Sequence, residues 1–349
     1  MPDTQFADID FLENKLQNAQ LPADLKQKAT AQIERLVRLA QNQGFSQEYD
    51  STSRYIDWIV SVPWNKRSLD PVSLENAKKI LDSNHYGLES IKERILEFLA
   101  VSALKTKQNE SVTNKAPALL LLGLVGTGKT TMAYSIAQAL GRKFGRIPMG
   151  GMGDALQLRG RSRAYPDAEP GQIVKTLART QTINPVILLD EIDRVTDDAR
   201  ADIMGVLVEL LDPEQNSNFL DHYIDYPVNL SEVLFITTAN NTGGVATAVL
   251  DRLETIEMPS YDDKQKIVIA KNYLLPREIK VNGLSPDDLV FGEGVWEQIV
   301  RPLGFDAGMR TLDRTISSIC RKVAKAKIEG KADKVILTPQ NIKQYMEIW

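Results

Sequence analysis

Gly123-Leu124-Val125-Gly126-Thr127-Gly128-Lys129-Thr130 satisfies the pattern G-x-x-x-x-G-K-[ST] at every fixed position, and its flanks place it where a phosphate-binding loop has to sit. Ahead of it, Pro117-Ala118-Leu119-Leu120-Leu121-Leu122 is a short apolar run of the buried-strand kind; behind it, Thr131 to Leu140 reads as a helix. Strand, glycine loop and helix start therefore follow in the required order. The glycines let successive backbone N–H groups turn inward around a β-phosphate, and the positive end of the following helix adds to the attraction. In such a loop Lys129 reaches the β- and γ-phosphates and Thr130 ligates Mg2+, so Gly123 through Thr131 are the expected nucleotide contacts, with ATP and Mg2+ as cofactors.

A phosphate loop needs a second, carboxylate-bearing strand, and Val186-Ile187-Leu188-Leu189-Asp190-Glu191 supplies one about sixty residues downstream. Four aliphatic residues bury on both faces of a parallel sheet and deliver the acids to its carboxyl edge. Asp190 is expected to hold the Mg2+ shell and Glu191 to orient and polarise the attacking water. Val233-Leu234-Phe235-Ile236-Thr237-Thr238-Ala239-Asn240 is another buried strand with a polar end. Asn240 either hydrogen-bonds the γ-phosphate and the lytic water or merely starts the turn Asn240-Asn241-Thr242-Gly243-Gly244. In Leu250-Asp251-Arg252-Leu253-Glu254 the arginine has two readings, a local ion pair or an arginine finger toward a neighbouring subunit's nucleotide.

The 349 residues suffice for two or three domains, and 43% hydrophobic residues suffice for ordinary cores. A net charge of −4 argues against a broadly basic nucleic-acid footprint. A lone Cys320 allows no internal disulfide, and His85 and His222 make no metal cluster; a reducing cytoplasm fits. Met1-Pro2-Asp3-Thr4 lacks the start of a signal peptide, and no stretch approaches the ~18 apolar residues of a membrane span, so neither export nor insertion is expected.

Residues 8–42 read as two helices, with stripes at Ile9, Leu12, Leu16 and Ala19 and at Leu25, Ala29, Leu36 and Ala40, parted by Pro22. Gln41 to Ser53 is the expected linker, and Tyr55-Ile56-Asp57-Trp58-Ile59 a helix ended by Pro63. Helices follow over 73–82 and 88–105, then a polar connection from Asn109 to Lys115. Between those helices, His85-Tyr86-Gly87 either packs its backbone against an adenine or forms a helix cap. Arg146-Ile147-Pro148-Met149 is a short strand. Gly150 to Gly171, with Arg159, Arg161, Arg163 and Tyr165, lacks periodicity and is expected as a long exposed loop whose tyrosine either grips a polymer or folds back on the surface. From Ser260 on, Asp262 to Leu275, Val295 to Val300, Met309 to Glu329 and Pro339 to Trp349 read as a smaller helical domain.

The order of phosphate loop, Asp-Glu strand, Thr-Ala-Asn strand, Leu-Asp-Arg and helical domain resembles that of the AAA+ ATPases. Tyr55 to Trp64, His85 to Leu88, Leu211-Asp212-Pro213-Glu214-Gln215-Asn216, Asp221-His222-Tyr223 and Phe235 to Asn241 are similar to the ATPase module of the Lon protease family in particular. The resemblance implies an α/β P-loop parallel sheet with helices on both faces, a C-terminal α-helical lid and an N-terminal helical arm, divided as 1–50, 51–258 and 259–349. It implies that Asn240 is sensor 1, Arg252 the finger acting across a subunit boundary, Arg310 sensor 2 and Tyr165 the pore-loop aromatic. It also implies a homo-oligomeric, hexameric ring that threads unfolded polypeptide. Two departures stand out. The family usually has two prolines after the first glycine of the loop, where this chain has Leu124-Val125, and an aliphatic residue and a glycine after the aromatic, where it has Pro166-Asp167. Trp349 falls about where that family's peptidase domain begins, so a motor module without the Ser-Lys dyad, alongside a separate or removed peptidase, is expected. An ATP-binding scaffold or switch is the alternative, and a nucleic-acid remodelling ATPase finds support only in Arg159, Arg161 and Arg163.

Overall fold

The structure, a computed structural model, describes residues 2–39, 45–69, 73–107, 118–301 and 308–346. Three helices open the chain, α1 (Pro2–Asn18), α2 (Ala23–Leu39) and α3 (Phe45–Ser61). In α2 the residues Leu25, Ala29, Ile33 and Leu36 recur at helical spacing and are all buried. Helix α3 stops at Ser61, ahead of Pro63, which has no N–H to continue a helix. The expected linker is corrected here: residues 41–44 lie outside the described ones, and Phe45 to Ser53 is the first half of α3. Ile9, Leu12 and Leu16 and the α2 stripe share one core with Tyr55, Ile56 and Ile59 of α3 and with one face of the central sheet.

Helices α4 (Leu74–Asn84) and α5 (Glu89–Lys107) follow, α4 capped by the Ser73 hydroxyl, which accepts from the Asn76 N–H. The polar connection from Asn109 to Lys115 lies outside the described residues. The sheet then begins: β1 (Ala118–Leu122), α6 (Lys129–Leu140), β2 (Phe144–Pro148), α7 (Leu156–Arg159), α8 (Gln172–Thr180), β3 (Val186–Asp190) and α9 (Arg200–Leu211). A hairpin of β4 (Phe219–Asp221) and β5 (Tyr226–Val228) precedes β6 (Leu234–Ala239), α10 (Thr247–Leu250) and β7 (Leu253–Glu257).

Strands β2, β3, β6, β1 and β7 lie side by side in that order, all parallel. Both faces are covered, which is why β1 is apolar throughout and β3 is apolar up to its last residue, Asp190. Leu120 of β1 faces the core built with α1 to α3, while Leu119 and Leu121 face α4, α5 and α6. Only β2, at the edge, holds a proline and a half-exposed arginine, as edge strands tolerate.

Gly150 to Gly171 is more ordered than its lack of period suggests. It contains α7, buries Leu158, and is pinned by the fully buried Asp221, whose Oδ2 accepts from the Gly171 N–H at 2.8 Å while Oδ1 takes the Tyr223 and Ile224 N–H groups. The expectation of a wholly exposed loop is corrected by that anchor.

A third core belongs to the last segment. Helix α11 (Asp263–Ile269) starts with a reciprocal capping box between Asp262 and Gln265. It runs through a π turn (Ala270–Leu274) into α12 (Leu275–Val281), the wide turn falling just ahead of Pro276, which cannot donate an i to i−4 bond. Then come β8 (Leu289–Phe291), α13 (Val295–Val300), α14 (Arg310–Ile328), β9 (Val335–Leu337) and α15 (Ile342–Tyr345). The purely helical expectation for this segment missed β8 and β9, which pair in parallel as a two-stranded ribbon.

Candidate nucleotide site

The register of the sheet assembles the site. Strand β6 lies between β1 and β3, so the loop after β1, the residue after β6 and the last residue of β3 meet at one carboxyl edge. The cleft there, about 370 Å³, is lined by Tyr86, by Val125 through Thr131, by Arg146, Asp190, Glu191 and Asn240, and by Tyr261, Met309 and Arg310 among others. That volume lies in the range of small-molecule and cofactor sites.

Gly126 and Gly128 adopt φ +82° and +93°, a left-handed backbone that L side chains disfavour, and this folds the loop around the start of α6. Lys129 is nearly buried there. Its ammonium donates to the carbonyls of Gly123 at 2.5 Å and Leu124 at 2.9 Å and to Asn240 Oδ1 at 3.1 Å. Burial holds Lys129 below the usual lysine pKa, against the pull of Asp193, Asp190 and Glu191. Gly123 and Leu124 are thus not among the residues lining the cleft; their carbonyls hold the lysine instead.

Asp190 is buried at the end of β3. Its Oδ1 accepts from the Thr238 hydroxyl at 2.6 Å and lies 3.5 Å from Thr130 Oγ1, while Arg146 holds Oδ2. Thr238 Oγ1 also accepts the Glu191 N–H at 2.8 Å, so one hydroxyl sets both acids. Glu191 has φ +62° and ψ +54°, an uncommon left-handed conformation for a non-glycine residue that swings its carboxylate off the strand into the cleft. The Asn240 N–H donates to Asp193 Oδ2 at 3.0 Å, which aims the amide side chain; its Nδ2 is buried and has no hydrogen-bond partner among the described residues.

The lid closes the cleft from above. The Met309 N–H donates to the Gly126 carbonyl at 2.9 Å, and a Cβ on Gly308 would stand 2.3 Å from the Val125 carbonyl oxygen. This close approach sets Arg310, at the start of α14, against the loop. The Tyr261 hydroxyl donates to the Thr127 carbonyl at 3.3 Å, and Tyr273, on the π turn, donates to the Asp82 carbonyl at 3.3 Å. Arg277 of α12 pairs with Asp313 of α14 at 2.5 Å, and both line the cleft.

Other expected site residues lie elsewhere. Tyr86 lines the cleft, but Gly87 does not. Arg252 lies outside the cleft of its own chain; it pairs with Asp212 at 3.0 Å and donates to the Ala248 carbonyl at 2.8 Å. Tyr165 is 59% exposed at the tip of a turn, with the Arg161 guanidinium 5.7 Å from its ring. Each nearby arginine has an intrachain partner: Arg159 has Glu209 and the Phe219 ring, Arg161 has Asp167, and Arg163 lies 3.9 Å over Tyr55 and bonds Gln32. Sequence reasoning missed Arg146, Tyr261, Tyr273, Arg277 and Asp313. Only Arg146 carried a signal, a lone cation in an otherwise uncharged strand.

A phosphate loop, an acid pair whose first member, Asp190, is buried, and a polar strand end beneath a helical lid define a P-loop ATPase module of the AAA+ class. The family model for the ATPase family associated with various cellular activities matches residues 119–261, and that for the Lon protease AAA+ ATPase lid domain matches 280–336. The chain belongs to the Lon-type AAA+ ATPase family. It is 42% identical over 341 residues to a Lon protease of Lawsonia intracellularis, covering 98% of this chain and 40% of that protein. It is likewise 42% identical over 345 residues to a Lon protease of Dictyoglomus thermophilum (99% and 42%), and 41% over 339 residues to Lon protease 2 of Herpetosiphon aurantiacus (97% and 41%). The chain spans about 40% of the length of these curated relatives.

Proposed function

We propose that the chain is the Mg-ATP-driven motor of a Lon-type machine, coupling hydrolysis in a homo-hexameric ring to the unfolding and translocation of polypeptide. The carrying observation is the meeting of Lys129, Asp190, Glu191 and Asn240 around one cleft with the start of α14 docked on its loop.

The donor set fits the divalent cation. Thr130 and Asp190 present hard oxygens 3.5 Å apart. They would hold Mg2+, which supplies Lewis-acid charge to phosphate oxygens. Lys129, held by loop carbonyls, has a phosphate as its natural alternative partner. The unpartnered Nδ2 of Asn240 suits an anionic oxygen, since a buried donor left unsatisfied costs about 1–3 kcal/mol. Glu191 takes the base position, its carboxylate orienting water and accepting its proton. Arg252, outside its own cleft, suits a finger offered to the neighbouring copy, and the exposed Tyr165 suits contact with a threaded chain. The printed name of the relatives, Lon protease, supports a proteolytic context.

Glu191→Gln keeps the shape and removes the base. Turnover is expected to fall by about 10²-fold or more while nucleotide affinity stays within a few-fold. Unchanged turnover would refute the assignment.

A further inference from the structure

Edge strands commonly carry charge turned to solvent, where it discourages pairing with another chain. Arg146 on β2 is used differently. Its side chain crosses the carboxyl end of the sheet into the nucleotide cleft, where Nε lies 2.8 Å and Nη2 2.6 Å from Asp190 Oδ2. The two partners are unequally held: Asp190 has a side chain only 6% exposed, fixed also by Thr238, whereas that of Arg146 is 55% exposed. The arginine is the partner free to move.

Its surroundings say where. On its outer side lies a second hollow lined by Lys66, Lys143 and Arg179 with no carboxylate, and Arg146 borders both spaces. Away from Asp190, that side offers the guanidinium no carboxylate among the described residues and three like charges. The cleft side faces Lys129, Asn240 and the loop, where phosphates are expected. A divalent cation drawn to Asp190 weakens the hold on Arg146 and leaves an anion in the cleft as its best partner.

We infer that Arg146 reads the terminal phosphate: it holds Asp190 while the cleft is empty and turns to the last phosphoryl group of a nucleoside triphosphate once the cation engages Asp190. The inference rests on the reading of the cleft as an Mg-ATP site. A diphosphate ends one group short, so the contribution of Arg146 falls on the triphosphate alone. A charge-assisted contact of this kind is worth roughly ten- to a hundredfold in affinity.

The test is equilibrium binding of fluorescent ADP and of a fluorescent non-hydrolysable ATP analogue, with Mg2+ and with EDTA, to the wild-type chain, Arg146→Gln and Arg146→Lys. With Mg2+, Arg146→Gln is expected to lose about tenfold or more in affinity for the triphosphate and to bind ADP within about twofold of wild type. The triphosphate loss shrinks in EDTA, and Arg146→Lys, a point charge without the fork, recovers part of it. Equal losses for both nucleotides in a variant that melts as wild type does would assign Arg146 to the shape of the site and overturn the inference, as would no loss for either. If the wild-type chain itself shows no Mg2+-dependent triphosphate binding, the reading of the cleft fails first and the inference falls with it.

Discussion

Lys129, Asn240 and Glu191 show how much single residues depend on neighbours. The lysine is recognisable from its motif, but its bonds to the Gly123 and Leu124 carbonyls follow from the turn of the loop. Glu191 reaches the cleft because the chain turns left-handed after β3. Arg146, Tyr261 and Arg277 belong to no spacing pattern. Tertiary packing decides where such long side chains point, so Tyr261 and Arg277 were unreadable as site residues and Arg146 showed only as a lone cation in its strand. The same holds for Arg159, Arg161 and Arg163, a basic cluster in the sequence and three separate intrachain contacts in the fold. His85 supplies a test at this scale. Burial, and next the nearby Lys92 charge, lower its pKa from 6.5 to about 4, while its Nε2 lies 2.9 Å from Ser135 Oγ. Between those values the unfolded chain binds the extra proton and the folded chain does not, so this residue's stability contribution is full above about pH 6.5 and is lost as pH falls toward 4. The loss is on the order of 3 kcal/mol. Denaturation midpoints from pH 7 to 4.5 are expected to fall less steeply in His85→Gln than in wild type; identical slopes would contradict the assignment.

At the level of elements, the strands and the loop between β1 and α6 were readable because burial on both faces writes continuous apolar runs and the phosphate motif fixes its own flanks. Less readable were elements set by contact. Helix α3 begins inside a polar stretch because its inward face meets α1 and α2. Strands β8 and β9, three residues each, are too short to show a period. The anchor of the 150–171 segment is a single buried acid far along the chain. The docking of α14 on the phosphate loop carries an expected outcome. Gly308→Ala places a methyl 2.3 Å from the Val125 carbonyl oxygen and forces the two elements apart. Affinity for a non-hydrolysable ATP analogue is expected to fall about tenfold or more, because Arg310 moves with its helix, while the lid core around Ile316 and Ile319 is untouched. Nucleotide titration with parallel thermal melting checks it; unchanged affinity would mean that the contact is incidental.

For the whole molecule, the first two helices are part of the core of the ATPase sheet rather than an appendage. Leu25 has no exposed surface, so Leu25→Ala is expected to cost about 2–5 kcal/mol in chemical denaturation while ADP affinity of the folded protein is unchanged. A cost near zero would mean that α2 contributes nothing to that core. The ring is a larger claim, and Arg252 is where it can be met. Within its own chain this arginine pairs with Asp212, whose carboxyl is held below its ordinary pKa by the Glu214 N–H and by Arg252 itself. It lines no part of its own cleft. The most direct measurement is the steady-state ATPase rate at high protein concentration, with and without an unfolded polypeptide, for wild type and Arg252→Ala. A ring motor predicts stimulation by polypeptide in the wild type and its loss in the variant, with nucleotide affinity retained. Equal, unstimulated rates in both proteins would contradict the motor and favour a nucleotide-binding module that hydrolyses ATP without coupling it to a threaded chain.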